Sequence, residues 1–204
     1  KILFTSSGAV YGKSKIKKKF KENQKINLKN INKFKGYKKN YAKSKIFIEN
    51  EFHKLGRKGY NVSIARLFTF IGKRILINNS FAITDLINQA KNTKTKEIII
   101  NSSSDVFRGY MDSNDLIRWI IEILKQSDNR CEIYNVGSDE TVSIKKLSKL
   151  IAKKFKKNIK INNNKRINKN IDFYVPSILK AKLKLKLVLK FKLNKSLKIL
   201  YKSI

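Results

Sequence analysis

Residues 1–5 form a short apolar run closed by Ser6-Ser7-Gly8, and residues 61–68 form a second, β-branched one. Between them, residues 41–55 carry Ile46, Phe47, Ile48 and Phe52 among good helix formers, with Gly56 and Gly59 closing the stretch. Strand, helix, strand is the order of a parallel crossover unit, because parallel neighbours cannot be joined by a tight turn. The chain therefore predicts an α/β fold. The carboxyl ends of such strands open into loops, which is where open α/β sheets bind ligands.

The rest of the chain continues the alternation. Residues 80–90 read as a helix with Phe81, Ile83, Leu86 and Ile87 on one side, and residues 97–100 as a strand. Asp112 or Asn114 caps a helix over about residues 115–124, in which Leu116, Trp119, Ile120 and Ile123 recur at helical spacing and place Trp119 in the core. Residues 131–136 read as a strand stopped by Gly137, and residues 142–155 lead into an amphipathic helix with Leu147, Leu150 and Ile151 inward. Residues 13–40 show little periodicity and read as loop. Residues 159–170 are nearly a Lys/Asn/Ile string, residues 182–193 alternate Lys with Leu in the period of a strand, and residues 195–204 form a short helix.

Composition narrows the function classes. Lys+Arg at 48 against Asp+Glu at 14 gives a net charge of +34, which raises nucleic acid or an anionic membrane as partners. The lysines are spread along the whole chain rather than gathered with Arg and aromatics on one element, so no specific nucleic-acid role is expected. No apolar run reaches the ~20 residues a membrane span needs. Cys131 is the only cysteine, which excludes an intrachain disulfide and makes a reducing cytoplasmic compartment the default. The only methionine is Met111, so the sequence as given does not open on an initiator; processing or a longer parent chain accounts for that.

The chemistry-bearing pair is Tyr41 and Lys45, one helical turn apart in Tyr41-Ala42-Lys43-Ser44-Lys45. A phenol is a poor base at neutral pH, and a cation beside it favours its anion. Ser7 stands at a strand end where its hydroxyl can meet the same substrate oxygen. Asp105, Asp112 and Asp115 lack His or Cys partners and read as caps and turn residues rather than a metal centre. His53 reads as a solvated surface residue.

Five ordered segments carry a resemblance. They are residues 5–12 (TSSGAVYG), 41–45 (YAKSK), 65–72 (ARLFTFIG), 108–116 (RGYMDSNDL) and 134–137 (YNVG), with fainter matches at Tyr174-Val175-Pro176 and in residues 180–185. In this order and spacing the chain resembles the extended short-chain dehydrogenase/reductases, the NAD-dependent sugar-nucleotide epimerases and dehydratases. The resemblance implies a partial Rossmann-type parallel sheet with a smaller α/β substrate-binding domain. Residues 1–75 would be the later half of the nucleotide-binding domain, rejoined by about residues 106–137. Residues 76–105 and 138–204 would be the sugar-nucleotide domain with a Lys-rich tail.

The resemblance further implies NAD or NADP as cofactor and a nucleotide sugar as substrate. Tyr41 would exchange the sugar hydroxyl proton, Lys45 would bond the nicotinamide ribose, and Ser7 would orient the sugar oxygen. Phe68 would lie beside the nicotinamide, Arg108 would grip the diphosphate, and Thr69 stands at a substrate contact where asparagine is common. Dehydratases of the family carry an acidic pair after the hydroxyl residue, whereas this chain has Gly8 and Ala9, which favours epimerisation or 4-keto/4-hydroxy interconversion. The family's amino-terminal Gly-x-x-Gly-x-x-Gly turn does not occur in the sequence as given. That leaves Ile2, Leu3 and Phe4 beside an unpaired edge and leaves open a non-catalytic remnant or completion by a separate amino-terminal half; the resemblance separately implies a homodimer through the Tyr41 helix and the following one. A basic protein binding nucleic acid or anionic membrane is the alternative from a different class.

Overall fold

The computed structural model describes residues 1–12, 14–72, 82–101, 105–162 and 171–202. The first strand, β1 (Ile2–Ser7), runs into a single 3-10 turn at Gly8–Tyr11, and helices α1 (Leu28–Asn32) and α2 (Tyr37–Arg57) precede β2 (Val62–Leu67). Then come β3 (Phe70–Ile71), α3 (Ala82–Lys91), β4 (Glu97–Ile100), β5 (Asp105–Arg108), β6 (Met111–Asp112) and α4 (Ser113–Lys125). The remainder is β7 (Glu132–Val136), β8 (Val142–Ser143), α5 (Ile144–Phe155), β9 (Asn158–Ile161), β10 (Ile171–Tyr174), α6 (Leu179–Leu185) and α7 (Leu193–Tyr201).

The crossover expected from sequence is present: β1, β2 and β7 form a parallel three-stranded sheet in that order. Its register sets Ser7 opposite Leu67 and Leu67 opposite Val136, so the three carboxyl ends lie level. Side chains alternate between its faces. Ala65, Tyr134 and Val136 pack with Leu116, Trp119 and Ile123 of α4, while Val62, Ile64 and Cys131 pack with Phe52 and Leu55 of α2. Both faces being covered leaves β2 almost wholly buried. Among the described residues β1 pairs only with β2, which leaves it an edge strand with Ile2 exposed.

A second sheet, ordered β10-β5-β8, pairs Tyr174 with Arg108 in parallel register. Strand β4 pairs in parallel with β9, and α3, α5 and α7 close the largest apolar cluster around Ile98, Leu147, Ile151 and Leu197. Residues 188–191 are clamped to α4. Asp115, fully buried, accepts from the backbone N–H of Lys190 and Phe191, while Arg118 and the Trp119 indole both donate to the Val188 carbonyl.

Several boundaries differ from the sequence reading. The Tyr41 helix starts at Tyr37 and runs through Gly56 to Arg57. Its first turn has exposed Tyr37 and lysines and no capping side chain, so neither periodicity nor a cap marks it. Gly56 does not end the helix; a Cβ there would come within 2.7 Å of the Asn129 carbonyl, so the residue serves close packing. Gly59, at φ +90°, makes the turn. Helix α1 lies within the expected loop, capped by the Asn27 side chain and burying only Ile31.

The Lys/Leu alternation is not a strand. Its first part is α6, with Lys186 in the left-handed conformation ending it. Leu and Lys are both good helix formers and Lys is depleted in strands, and α6 packs Ala181 and Leu185 toward the β7 side of the core. Strands β5 and β10 were not marked by any period-two pattern; each is short and gains its place from pairing with the other. The 80–90 helix is observed as α3, with residues 80 and 81 outside the described residues. The weak 159–170 string yields β9, and residues 163–170 lie outside the described residues.

Candidate active site

Ser7 ends β1 and caps the 3-10 turn, its Oγ accepting from the Ala9 N–H at 3.2 Å. Above this strand end lies α2. Its Tyr41 is 46% exposed, and Lys45, one turn further on, donates from Nζ to the Thr5 carbonyl at 2.8 Å. The same ammonium sits 5.6 Å from the Tyr41 ring centroid and 4.8 Å from that of Phe4. Lys45 thus ties the phenol-bearing helix to β1 two residues before Ser7. The Tyr41–Lys45 pairing follows from helix geometry alone, whereas its apposition to β1 is a product of the fold.

A second phenol reaches the same place from β10. Tyr174 packs its ring against Phe68. Its hydroxyl stands over Gly8, where a Cβ would come within 2.6 Å of it and of the Phe68 ring. Burial pushes the Tyr174 phenol far above its ordinary value. Phe68 is buried in a cluster with Tyr174, Tyr11 and Phe20, at ring separations of 4.7, 6.1 and 6.2 Å. Thr69 is partly buried, and its carbonyl accepts from the Met111 N–H at 3.1 Å.

Arg108 is 5.7 Å from the Tyr174 ring centroid. Its Nη2 pairs with Asp172 Oδ2 at 2.9 Å, and its Nη1 donates to Asp172 and to the Phe107 carbonyl. The guanidinium is therefore held by a partner that the sequence reading did not identify, and it retains a solvent-facing side.

Beneath the site runs a buried polar network that sequence reasoning missed. Arg66 of β2 binds Glu49 of α2 through two hydrogen bonds, and Ser6 of β1 donates to the same carboxylate at 2.5 Å. Arg66 Nη1 also donates to the Tyr11 hydroxyl at 2.9 Å, which donates to Asn135 Oδ1 at 2.8 Å. The Asn135 N–H in turn donates to Glu22. Burial, opposed by Arg66, pushes Tyr11 up to about 12, and burial also raises Glu22. Two signals are visible in the sequence: an acid one turn beyond Lys45, and an arginine inside an otherwise apolar strand.

His53 is half-buried rather than solvated, with burial pushing its pKa down. Asp112 caps α4 through the Asn114 N–H, and Asp115 is the buried clamp described above. Among the described residues no group of three His, Cys, Asp or Glu side chains could hold a metal, and no helix is long and apolar enough to cross a membrane. A surface cleft of about 540 Å³ lies at Ala90, Thr93 and Phe155, on different elements from Tyr41 and Ser7.

The model of the NAD dependent epimerase/dehydratase family matches residues 1–137. The chain belongs to that family. The matched span holds Ser7, Tyr41, Lys45, Phe68, Thr69 and Arg108, while Tyr174 lies beyond it. No match was found among curated proteins. Solved structures with the family's fold include RMD from Pseudomonas aeruginosa complexed with NADPH, at 21% identity and a TM-score of 0.78. They also include dTDP-glucose 4,6-dehydratase from Bacillus anthracis in complex with NAD, at 15% and 0.76, and UDP-N-acetylglucosamine 4-epimerase from Bacillus cereus, at 17% and 0.73. Each alignment covers 98% of this chain but only 65%, 60% and 62% of those chains, respectively.

Proposed function

We propose that this chain provides the hydride-transfer end of an NAD(P)-dependent enzyme acting on a nucleotide sugar. The observation that carries the reading is Lys45, which joins the Tyr41 ring to the end of β1 beside Ser7. When bound, the nicotinamide supplies a hydride acceptor and donor at the sugar carbon. Tyr41 takes the hydroxyl proton as the C–H bond breaks and the C=O bond forms, and returns it in the reverse step. Lys45 holds a positive charge beside the phenolate, and Ser7 donates to the developing sugar oxygen. Phe68 walls the crevice on its β2 side. Arg108 would exchange Asp172 for the substrate diphosphate, a group its planar fork suits.

The residues present fit the nicotinamide-ribose end of the cofactor. The sequence as given has no glycine-rich turn of the kind that receives a pyrophosphate at a helix amino end. The open edge of β1 is where a further parallel strand carrying such a turn would add, from this polypeptide or another. Epimerisation or keto/hydroxy interconversion is favoured over dehydration. Elimination needs an additional acid and base, and Gly8 and Ala9 supply no carboxylate, while the space over Gly8 is filled by Phe68 and Tyr174.

The test is conversion of UDP- or dTDP-hexoses in the presence of NAD, with epimeric products followed by NMR and any net oxidation followed as NADH at 340 nm, for the chain alone and with the amino-terminal half of a family relative. Turnover that disappears in Tyr41→Phe and Lys45→Met supports the reading. Turnover indifferent to both substitutions refutes it.

A further inference from the structure

We propose that Glu49 is a positioning residue of the hydride-transfer site: its buried carboxylate fixes where α2 sits over β1, and thereby where Lys45 and Tyr41 stand relative to Ser7. The proposal rests on the site reading above and adds to it a residue that touches neither cofactor nor substrate.

Tyr41, Lys45 and Glu49 follow one another at spacings of four, so they run down one side of α2 about 6 Å apart along its axis. Two of the three reach back to β1. Lys45 Nζ donates to the Thr5 carbonyl at 2.8 Å, and one turn further on Glu49 Oε1 accepts from the Ser6 hydroxyl at 2.5 Å. Arg66 of β2 fills the rest of the carboxylate, Nε on Oε1 at 2.9 Å and Nη2 on Oε2 at 2.6 Å. Glu49 is thus the point at which β1, α2 and β2 meet, and its partner on β1 is the residue next to Ser7.

Further along α2, Phe52 and Leu55 pack against Val62, Ile64 and Cys131. Apolar contact of that kind is non-directional, whereas a carboxylate with three donors has one placement that serves them all. Moving α2 by one residue would turn Glu49 by about 100° and carry it about 1.5 Å along the axis, away from all three. Tyr41 is half-exposed, so its place follows from the helix that carries it rather than from packing of its own. An error of about 1 Å at the reacting atoms can cost on the order of a hundredfold in rate, which gives the fixed register a catalytic consequence.

Two variants separate positioning from stability. Ser6→Ala cuts the tie to β1 and leaves the ion pair, while Glu49→Leu with Arg66→Met replaces the whole charge pair by apolar side chains; urea unfolding reports that each folds. Brief acetylation of the full chain with N-hydroxysuccinimidyl acetate, read by peptide mass, compares Lys45 with exposed Lys43 on the same helix. In both variants the Lys45 to Lys43 labelling ratio should rise about threefold to tenfold, the worth of one weakened hydrogen bond. An unchanged ratio in a folded variant overturns the proposal, and this arm needs no turnover. In the hexose-conversion assay each variant should lower kcat about tenfold with KM unchanged. A double variant whose kcat returns to the parent value along with its urea midpoint also overturns it, because Glu49 would then act through stability alone. The Tyr41→Phe control keeps the two ideas apart: turnover that survives it refutes the site reading, while the labelling ratio still decides whether Glu49 places Lys45.

Discussion

Arg66 grips Glu49 edge-on, Nε to Oε1 at 2.9 Å and Nη2 to Oε2 at 2.6 Å, with side-chain exposures of 4% and 3%. The pair locks α2 to β2, and Ser6 on the same carboxylate extends the lock to β1. Removing one partner leaves the other charged and buried. Glu49→Ala should therefore cost about 3–5 kcal/mol, read as a lowered urea midpoint at unchanged slope. Glu49→Leu combined with Arg66→Met should recover much of that loss. A double variant as unstable as the single would show that Ser6 and Tyr11 depend on the ion pair more than this account allows.

Gly8 stands under two rings. A methyl group there would meet Phe68 Cζ and the Tyr174 hydroxyl at 2.6 Å, well inside van der Waals contact. Gly8→Ala should lower stability by about 1–3 kcal/mol, visible as a drop in Tm. Adding Phe68→Leu should return part of it, and no recovery would place the obstruction at Tyr174 instead.

Glu22 carries a carboxyl whose pKa is raised by burial. A raised folded value means that the protonated form suits the folded state, so its contribution is present below the ordinary carboxyl range and is lost as pH climbs through the raised value. Glu22→Gln can still accept from the Asn135 N–H. The Tm of the glutamine variant relative to the parent should rise between about pH 4 and about pH 7. A difference that falls over that range contradicts the assigned direction.

Cys131 is buried, and its thiol is pushed up to about 11 by burial, then by Glu49, Asp128 and Glu132. The thiolate is the reactive form. The native protein should resist iodoacetamide at neutral pH and become labelled in urea in step with unfolding, as followed by intact mass. Rapid native labelling would contradict the packing of Cys131 with Val62 and Ile64.

Different parts of this molecule are legible in its sequence for different reasons. Tyr41 and Lys45 share a face in any α-helix, and the β-branched run of β2 needs no partner to be recognised, so the crossover and the pairing of these two side chains can be read directly. Tyr174 cannot be found that way. Its strand is four residues long, follows a low-complexity stretch, and acquires its position by pairing with β5. Arg66 and Glu49 lie 17 residues apart, a separation that implies contact only once α2 has folded back across β2. The Lys/Leu stretch misleads for the opposite reason: its period is that of a strand, but its residues have the propensities of a helix.

The Asp115 clamp makes the carboxyl-terminal residues a structural requirement of the sheet rather than an appendage. A chain cut short before Val188 would strip this wholly buried carboxylate of its two backbone donors, leaving Arg118 as its remaining partner. Any shortened version meant to keep α4 seated must therefore extend past Phe191, and tags or fusions belong beyond α7.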